Sequence, residues 1–323
     1  MSNLNRREIF RLSVMSLVAL ATGRSWSQPL ADFILINAEK NPGNFHFIYS
    51  DPRLKNEFLL FLKNVYNIYP EDKFHQLLSE GVQKSKTDEE VYNYVLTRLS
   101  SIKPFLSELS YALPALKNQK AEISQQTMRL IGKRSKINGY MEIGTPGRYI
   151  DELENHIKIE GDIFLVNETK PSYSPVDIVE RGQLTPIGDF IPLNDYESIA
   201  HSKIKENSLD VVTNYIGFHH CPLPKLDTFI GSIHTSLRKG GSLVLRDHDV
   251  IDPEMNAIVS LAHDVFNCGL KENWDRNHQE LRHFRSLKEW IAILKDKGFQ
   301  YTGTAIYQDG DPTKNALMEF IKT

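Results

Sequence analysis

Two short clusters hold the side chains best suited to chemistry. His219 and His220 follow the apolar run from Leu209 to Phe218, and Asp247, His248 and Asp249 follow the run from Ser242 to Arg246. Imidazoles and carboxylates at such positions can take a proton from a nucleophile or hold a substrate's polar groups. If the second run is a strand, alternation puts Asp247 and Asp249 on one face and His248 on the other. The two aspartates can hold a divalent cation, with His263 or Asp264 joining from the next helix. Plainer readings stand beside these. Asp247 can pair with Arg246 or another basic neighbour, His248 can be a satisfied loop histidine, and His219-His220 can be a structural part of its loop. We take His219, His220, Asp247 and His248 as catalytic candidates and assign no metal ligand.

A further polar and aromatic stretch, Asn273 to Phe284, lies where a substrate loop is expected; a solvated loop is the alternative. Upstream, the run Gly139 to Ile143 passes through Glu142 into Gly144-Thr145-Pro146-Gly147. Glycine there removes the Cβ that would block a ligand and tolerates positive φ, and helix amides just beyond offer donors to a polar group. Pro146 removes one donor and fixes φ, so the turn must be reshaped around it. Glu168 ends the next apolar run, 24 residues past Gly144. An acid there can accept hydrogen bonds from ribose hydroxyls, or simply cap a loop or helix.

These groups need elements to position them. From Leu54 to Lys133 the periodicity is helical: Phe58, Leu59, Phe61, Leu62, Val65 and Tyr66 recur at three-to-four spacing. Thr87-Asp88-Glu89-Glu90 starts a helix, and another is expected from about Pro114 to Ile131. From Gly139 onward, strand-like and helix-like runs alternate. Strands are expected at Gly139–Ile143, Asp162–Glu168, Gly188–Tyr196, Leu209–Phe218 and Ser242–Asp249, and helices at Arg148–His156, Leu223–Arg238 and Leu287–Lys297. The second helix is expected to stop at Lys239-Gly240-Gly241. Two last strands, Phe299–Tyr307 and Ala316–Ile321, flank Asp309-Gly310-Asp311-Pro312, a turn by composition. The fold class is α/β, with a Rossmann-like, mainly parallel seven-stranded sheet, an antiparallel C-terminal hairpin and a helical N-terminal domain.

The N-terminus pairs Arg6-Arg7 with an uncharged run from Leu12 to Gly23 and a small-residue exit, Ser25-Trp26-Ser27. It resembles a twin-arginine export signal; an amphipathic helix or peripheral anchor is the alternative. The expected domains are 1–27 as signal peptide, 28–134 as helical domain or cap, and 135–323 as the sheet domain. Localisation is periplasmic or exported if the signal is used, and cytoplasmic otherwise. No membrane span is expected in the mature chain. The 323 residues are 41% hydrophobic and 24% charged, so a packed core is expected. The net charge of -3, or -6 without residues 1–27, does not indicate nucleic acid. Two cysteines make no disulfide framework.

Taken together, Glu142-Ile143-Gly144-Thr145-Pro146-Gly147-Arg148, Ser208-Leu209-Asp210-Val211-Val212, Phe218-His219-His220 and Leu237 to Leu245, with the terminal strand-turn-strand, resemble class I S-adenosylmethionine-dependent methyltransferases over residues 135–323. Pro146 departs from that family's usual second glycine. The resemblance implies S-adenosylmethionine as cofactor and a small molecule or protein side chain as methyl acceptor. It implies that Glu142, Gly144, Thr145 and Gly147 line the methionine end, that Glu168 holds the ribose, that Asn194 or Asp195 contacts adenine, and that Asn214 also binds the cofactor. The alternatives are a non-catalytic exported binding protein on the same fold, or a nicotinamide-dependent oxidoreductase. The missing compact Gly-x-Gly-x-x-Gly and the terminal hairpin count against the latter. Oligomeric state is not legible in the sequence.

Overall fold

The computed structural model describes residues 43–103, 113–132 and 134–323. The export-like segment and its Ser25-Trp26-Ser27 exit lie outside the described residues. In chain order the elements begin with α1 (Asn44–Ser50), α2 (Pro52–Phe61), a π-helical turn (Leu62–Tyr66), α3 (Glu71–Lys84), α4 (Asp88–Ile102) and α5 (Leu113–Ile131). Then come β1 (Lys136–Ile143), α6 (Ile150–Glu154), β2 (Lys158–Asn167), α7 (Pro175–Arg181), β3 (Asp189–Pro192) and β4 (Leu209–Asn214). The chain continues with α8 (Leu223–Ser236), β5 (Leu237–His248), α9 (Pro253–Gly269), α10 (Trp274–Gln279), α11 (Leu287–Asp296), β6 (Phe299–Tyr307) and β7 (Asn315–Lys322). Among the described residues, no helix is long and apolar enough to cross a membrane.

The elements form two compact units. One is all helical and discontinuous, built from α1–α4 together with α9 and α10. Aromatic rings fill its core: Tyr66 stacks on Phe74 at 5.0 Å and meets Phe266 edge-on at 5.2 Å, and Phe61 meets Phe266 at 5.6 Å. Helix α4 starts on the expected cap. The Thr87 hydroxyl accepts from the Glu90 amide while the Glu90 carboxylate accepts from the Thr87 amide, which satisfies two donors a helix start otherwise leaves open. The helical domain expected over residues 28–134 does not match the units of the structure. In the structure α5 belongs instead with the sheet, and residues 252–280 belong with the helices.

The second unit is a seven-stranded sheet in the order β3-β2-β1-β4-β5-β7-β6, with β7 antiparallel to both β5 and β6 and the other pairs parallel. Strand alternation sends Met141, Ile143, Leu243 and Leu245 into one core layer and Tyr140, Val211 and Val244 into the other. Trp290 of α11 and Phe218 and Phe229 around α8 fill the first layer; Ile123 of α5 and Ile150 and Leu153 of α6 fill the second.

One boundary departs from expectation. Helix α8 ends at Ser236, and residues 237–241 belong to β5, with Leu237 paired to Leu209. The pairing shifts register between Leu209 and Val211, and Gly240 there has φ +76°. A Cβ on Gly241 would press on the Arg238 and Asp210 carbonyls. The glycine pair therefore serves a bulge in the sheet, where a helix stop was expected.

Candidate functional site

In an open α/β sheet, ligands bind beyond the carboxyl ends of the strands, where the strand order reverses direction. Here that point lies between β1 and β4. Two loops border it: the glycine turn after β1 and the Asn214–His220 loop after β4.

The glycine turn is held from beneath. Glu142 and Thr145 are fully buried, and the Thr145 hydroxyl donates to the Glu142 carboxylate. The Tyr140 hydroxyl donates to the other Glu142 oxygen at 3.1 Å, and the Arg148 amide donates to the Thr145 oxygen at 3.2 Å. Burial raises the Glu142 carboxyl above the usual carboxylate range against the pull of these donors. The contacts of Glu142 and Thr145 therefore tie the turn to the end of β1. Gly144 has φ +84°, and a Cβ there would run into the Ile216 side chain. Gly147 has φ +88° and room for ordinary contact only with Ile150 and Leu165. The Gly144 amide is spent on the Val166 carbonyl at 2.7 Å.

At the tip of β2, Glu168 is half-buried. One carboxylate oxygen is approached by the Asp195 amide, while Oε1 is buried with no hydrogen-bond partner. Burial raises this carboxyl above its usual range. Such an oxygen asks for donors. Beyond β3, Asn194, Asp195 and Tyr196 take φ of 48°, 54° and 59°, three left-handed residues in a row without a glycine. The turn is tied down at both ends. The Lys225 ammonium lies 2.9 Å from both the Asp195 carbonyl and carboxylate, and Tyr196 packs edge-on against Phe229 at 5.2 Å. Asp195 thus carries an ion pair, and Asn194 is exposed.

The β4 loop is shaped by Asn214, whose side chain accepts the Ile216 amide and donates to the Gly217 carbonyl, each at 3.2 Å. That folds the loop back so that His219 meets the end of β5. Asp247 accepts His219 Nδ1 at 2.7 Å, the Phe218 amide at 2.8 Å and its own neighbour's amide, His248, at 2.8 Å. Burial pushes the Asp247 carboxyl up to about 6, still ionised at neutral pH and suited to these three donors. The sequence alternative of an Asp247–Arg246 pair is not what forms: Arg246 donates to Gln308. Asp249 is also elsewhere, accepting the Leu287 amide and the Tyr307 hydroxyl, so the two aspartates form no cation-holding pair. His263 and Asp264 belong to the helical unit, where His263 faces Glu280 and Asp264 accepts from Asn277.

Three imidazoles and a phenyl ring line this end of the sheet. The His219 ring lies 4.1 Å from His220, 5.5 Å from His248 and 5.1 Å from Phe284. His220 Nδ1 donates to the Leu281 carbonyl at 3.0 Å, and His248 Nδ1 to the Thr313 carbonyl at 2.9 Å. Burial drives the His248 imidazolium down to about 3, so that ring is neutral. The four catalytic candidates, His219, His220, Asp247 and His248, are thus brought together. The carbonyls of Leu281 and Thr313, which orient two of them, were not identified from sequence; a main-chain oxygen 61 residues away leaves no side-chain signal.

No protein-family model matches the chain, and no curated protein matches it in sequence. Among solved structures it is similar to the Burkholderia thailandensis 1,6-didemethyltoxoflavin-N1-methyltransferase, crystallised with 1,6-didemethyltoxoflavin and S-adenosylhomocysteine (13% identity over 65% of this chain and 79% of that one, TM-score 0.39). It is also similar to the mitomycin 7-O-methyltransferase MmcR (13%, 78% and 67%, TM-score 0.44). A third likeness is to the N-methyltransferase NodS from Bradyrhizobium japonicum WM9 (16%, 62% and 94%, TM-score 0.38). Likenesses this distant carry no functional argument.

Proposed function

We propose that the sheet unit is an S-adenosylmethionine-dependent methyltransferase, with the nucleoside end of the cofactor at the β2 tip and the acceptor at the tips of β4 and β5. The observation that carries this is Glu168 Oε1, a buried acceptor without a donor beside the point where the strand order reverses. Ribose hydroxyls are donors of the required kind. Bound there, the sulfonium supplies an electrophilic methyl group. The protein's part is alignment and exclusion of water. Gly144 lets the Ile216 loop close over the turn, Lys225 holds Asp195 so that its amide fixes the Glu168 carboxylate, and the His219 ring, steadied by Asp247, offers Nε2 to an acceptor's proton.

A second reading, a binding protein on the same fold, is favoured by one feature. The Gly144 amide is already bonded and Pro146 has none, so the turn offers few donors to a methionyl carboxylate. Thermal unfolding with rising S-adenosylmethionine and S-adenosylhomocysteine tests the proposal. A ligand specific for the native state at a hundred times its Kd stabilises by about 2.7 kcal/mol. We expect a saturating shift with both, lost in Glu168→Ala. Absence of a shift at millimolar ligand in folded protein sinks the methyltransferase reading.

A further inference from the structure

Two buried donors stand near each other where α11 begins, and neither has an acceptor. Arg285 Nε and Trp290 Nε1 are both buried without a hydrogen-bond partner among the described residues. The Trp290 side chain is fully buried, and the Arg285 guanidinium lies 5.7 Å from the centre of its ring. A guanidinium and an indole N–H only donate, and the guanidinium keeps its charge at any ordinary pH. Glu289 is within electrostatic reach of Arg285, but its Oε2 is spent on the Ser286 amide and hydroxyl, at 2.8 and 2.7 Å. The same corner borders the strand tips. The Val250 amide, just past β5, donates to the Arg285 carbonyl at 3.1 Å, and the His283 amide donates to the His219 carbonyl at 2.8 Å. The Trp290 ring lies 6.0 Å from Phe218. All of these residues belong to the sheet unit, and residues 281–286 are half-buried.

We propose that Arg285 and Trp290 bind the carboxylate of an organic acid, and that the methyl acceptor is such an acid, docked through this group beside β5. The acceptor's identity rests on the methyltransferase reading, whereas the carboxylate site stands without it. A guanidinium can lie over an indole ring and still present its edge to a ligand. That edge matches the two oxygens of a carboxylate, and N–H bonds to an ionised acceptor are stronger than bonds to a neutral one. The indole N–H adds one more donor. A carboxylate is satisfied by this set; a phosphate, with a further oxygen and more charge, asks for more donors than one fork and one indole supply. An anion also answers the charge. A guanidinium withdrawn from water ordinarily has an anionic partner, and among the described residues Arg285 forms no salt bridge.

The test titrates the full-length protein, without cofactor, with benzoate and follows the indole N–H resonances of Trp26, Trp274 and Trp290 by NMR. Trp290 is assigned from the signal lost in Trp290→Phe. We expect a saturable downfield shift of the Trp290 signal alone. Benzamide, of the same size but uncharged, should bind at least about tenfold more weakly. Arg285→Gln should weaken benzoate binding roughly 10- to 100-fold, and Arg285→Lys, which keeps the charge but not the fork, should recover part of the loss. The contrast between benzoate and benzamide is read on the wild-type protein, so it does not depend on a substituted Arg285 folding. An unmoved Trp290 signal, equal affinities for benzoate and benzamide, or unchanged benzoate affinity in folded Arg285→Gln overturns the site. Tighter binding of phenyl phosphate than of benzoate overturns the carboxylate assignment. If benzoate binds as expected while S-adenosylmethionine gives no thermal shift, the carboxylate site holds and the acceptor role falls.

Discussion

Glu142 and Thr145 lock the glycine turn from within the sheet unit: the Thr145 hydroxyl donates to the Glu142 carboxylate, and neither side chain reaches solvent. The same carboxylate takes the Tyr140 hydroxyl, which is also bonded to Thr213 Oγ1 at 2.8 Å. Removing the acceptor strands buried hydroxyls, and each unsatisfied group costs about 1–3 kcal/mol. Glu142→Ala should therefore lower the unfolding free energy by about that amount or more, and Glu142→Gln, which keeps an acceptor oxygen, should recover much of it. Chemical denaturation of the two variants decides the point. Equal stability of Glu142→Ala and wild type would show the network to be idle.

Gly144 and Ile216 form a steric pair across the reversal point. A methyl group on Gly144 meets the Ile216 side chain, and φ +84° is left-handed backbone that L-residues pay about 1–2 kcal/mol to adopt. Gly144→Ala should destabilise by more than the backbone term alone. Adding Ile216→Ala should return the steric part while leaving the backbone part, a coupling of about 0.5–3 kcal/mol in a double-mutant cycle. Strictly additive effects would mean that the two residues do not meet.

In the helical unit, burial raises the Asp88 carboxyl to about 6, and the Asp264 carboxylate adds to the rise, against the Asn44 and Phe45 amides that donate to it. The folded value exceeds the unfolded one of about 3.9. Its stabilising contribution is thus fully present below about pH 4 and is lost as the pH rises through about 6. Asp88→Asn keeps an acceptor for the α1 amides and cannot ionise. Relative to wild type it should gain stability across that window, by up to about 3 kcal/mol. Unfolding curves for both proteins at acid and neutral pH measure the gain, and a difference that stays constant with pH would refute the assignment.

Much of the sheet was legible because its signals are local. Runs such as Phe164-Leu165-Val166 read as strands buried on both faces, Thr87 and Glu90 announce a helix start, and Gly298, at φ +86°, ends α11 where expected. The clustering of His219 with Asp247 followed from both lying at strand ends. The rest depends on pairing that sequence does not display. Gly240-Gly241 has a helix-stop composition, yet the Leu209–Leu237 register turns it into a bulge. Asp249 looked like a partner for Asp247, but the Leu287 amide and Tyr307 hydroxyl claim it. Nothing local in residues 252–280 indicates that they complete the unit begun by α1–α4.

That interrupted layout, together with the placing of β7, bears on synthesis. The helical unit lacks α9 and α10 until residues 253–279 have emerged from the ribosome, although its other helices are made early. The sheet is in the same position, since β7 is the strand that joins β6 to β5 and is made after both. Until residues 315–322 arrive, β5 has an open edge with unpaired amides and carbonyls, the kind of surface that recruits strands from other chains. The helical unit has all its elements once α10 is made, whereas the sheet stays incomplete until β7 follows β6. The β5 edge is therefore unpaired from the time residue 248 is made until β7 arrives, the interval in which an exposed strand edge is most prone to misassembly.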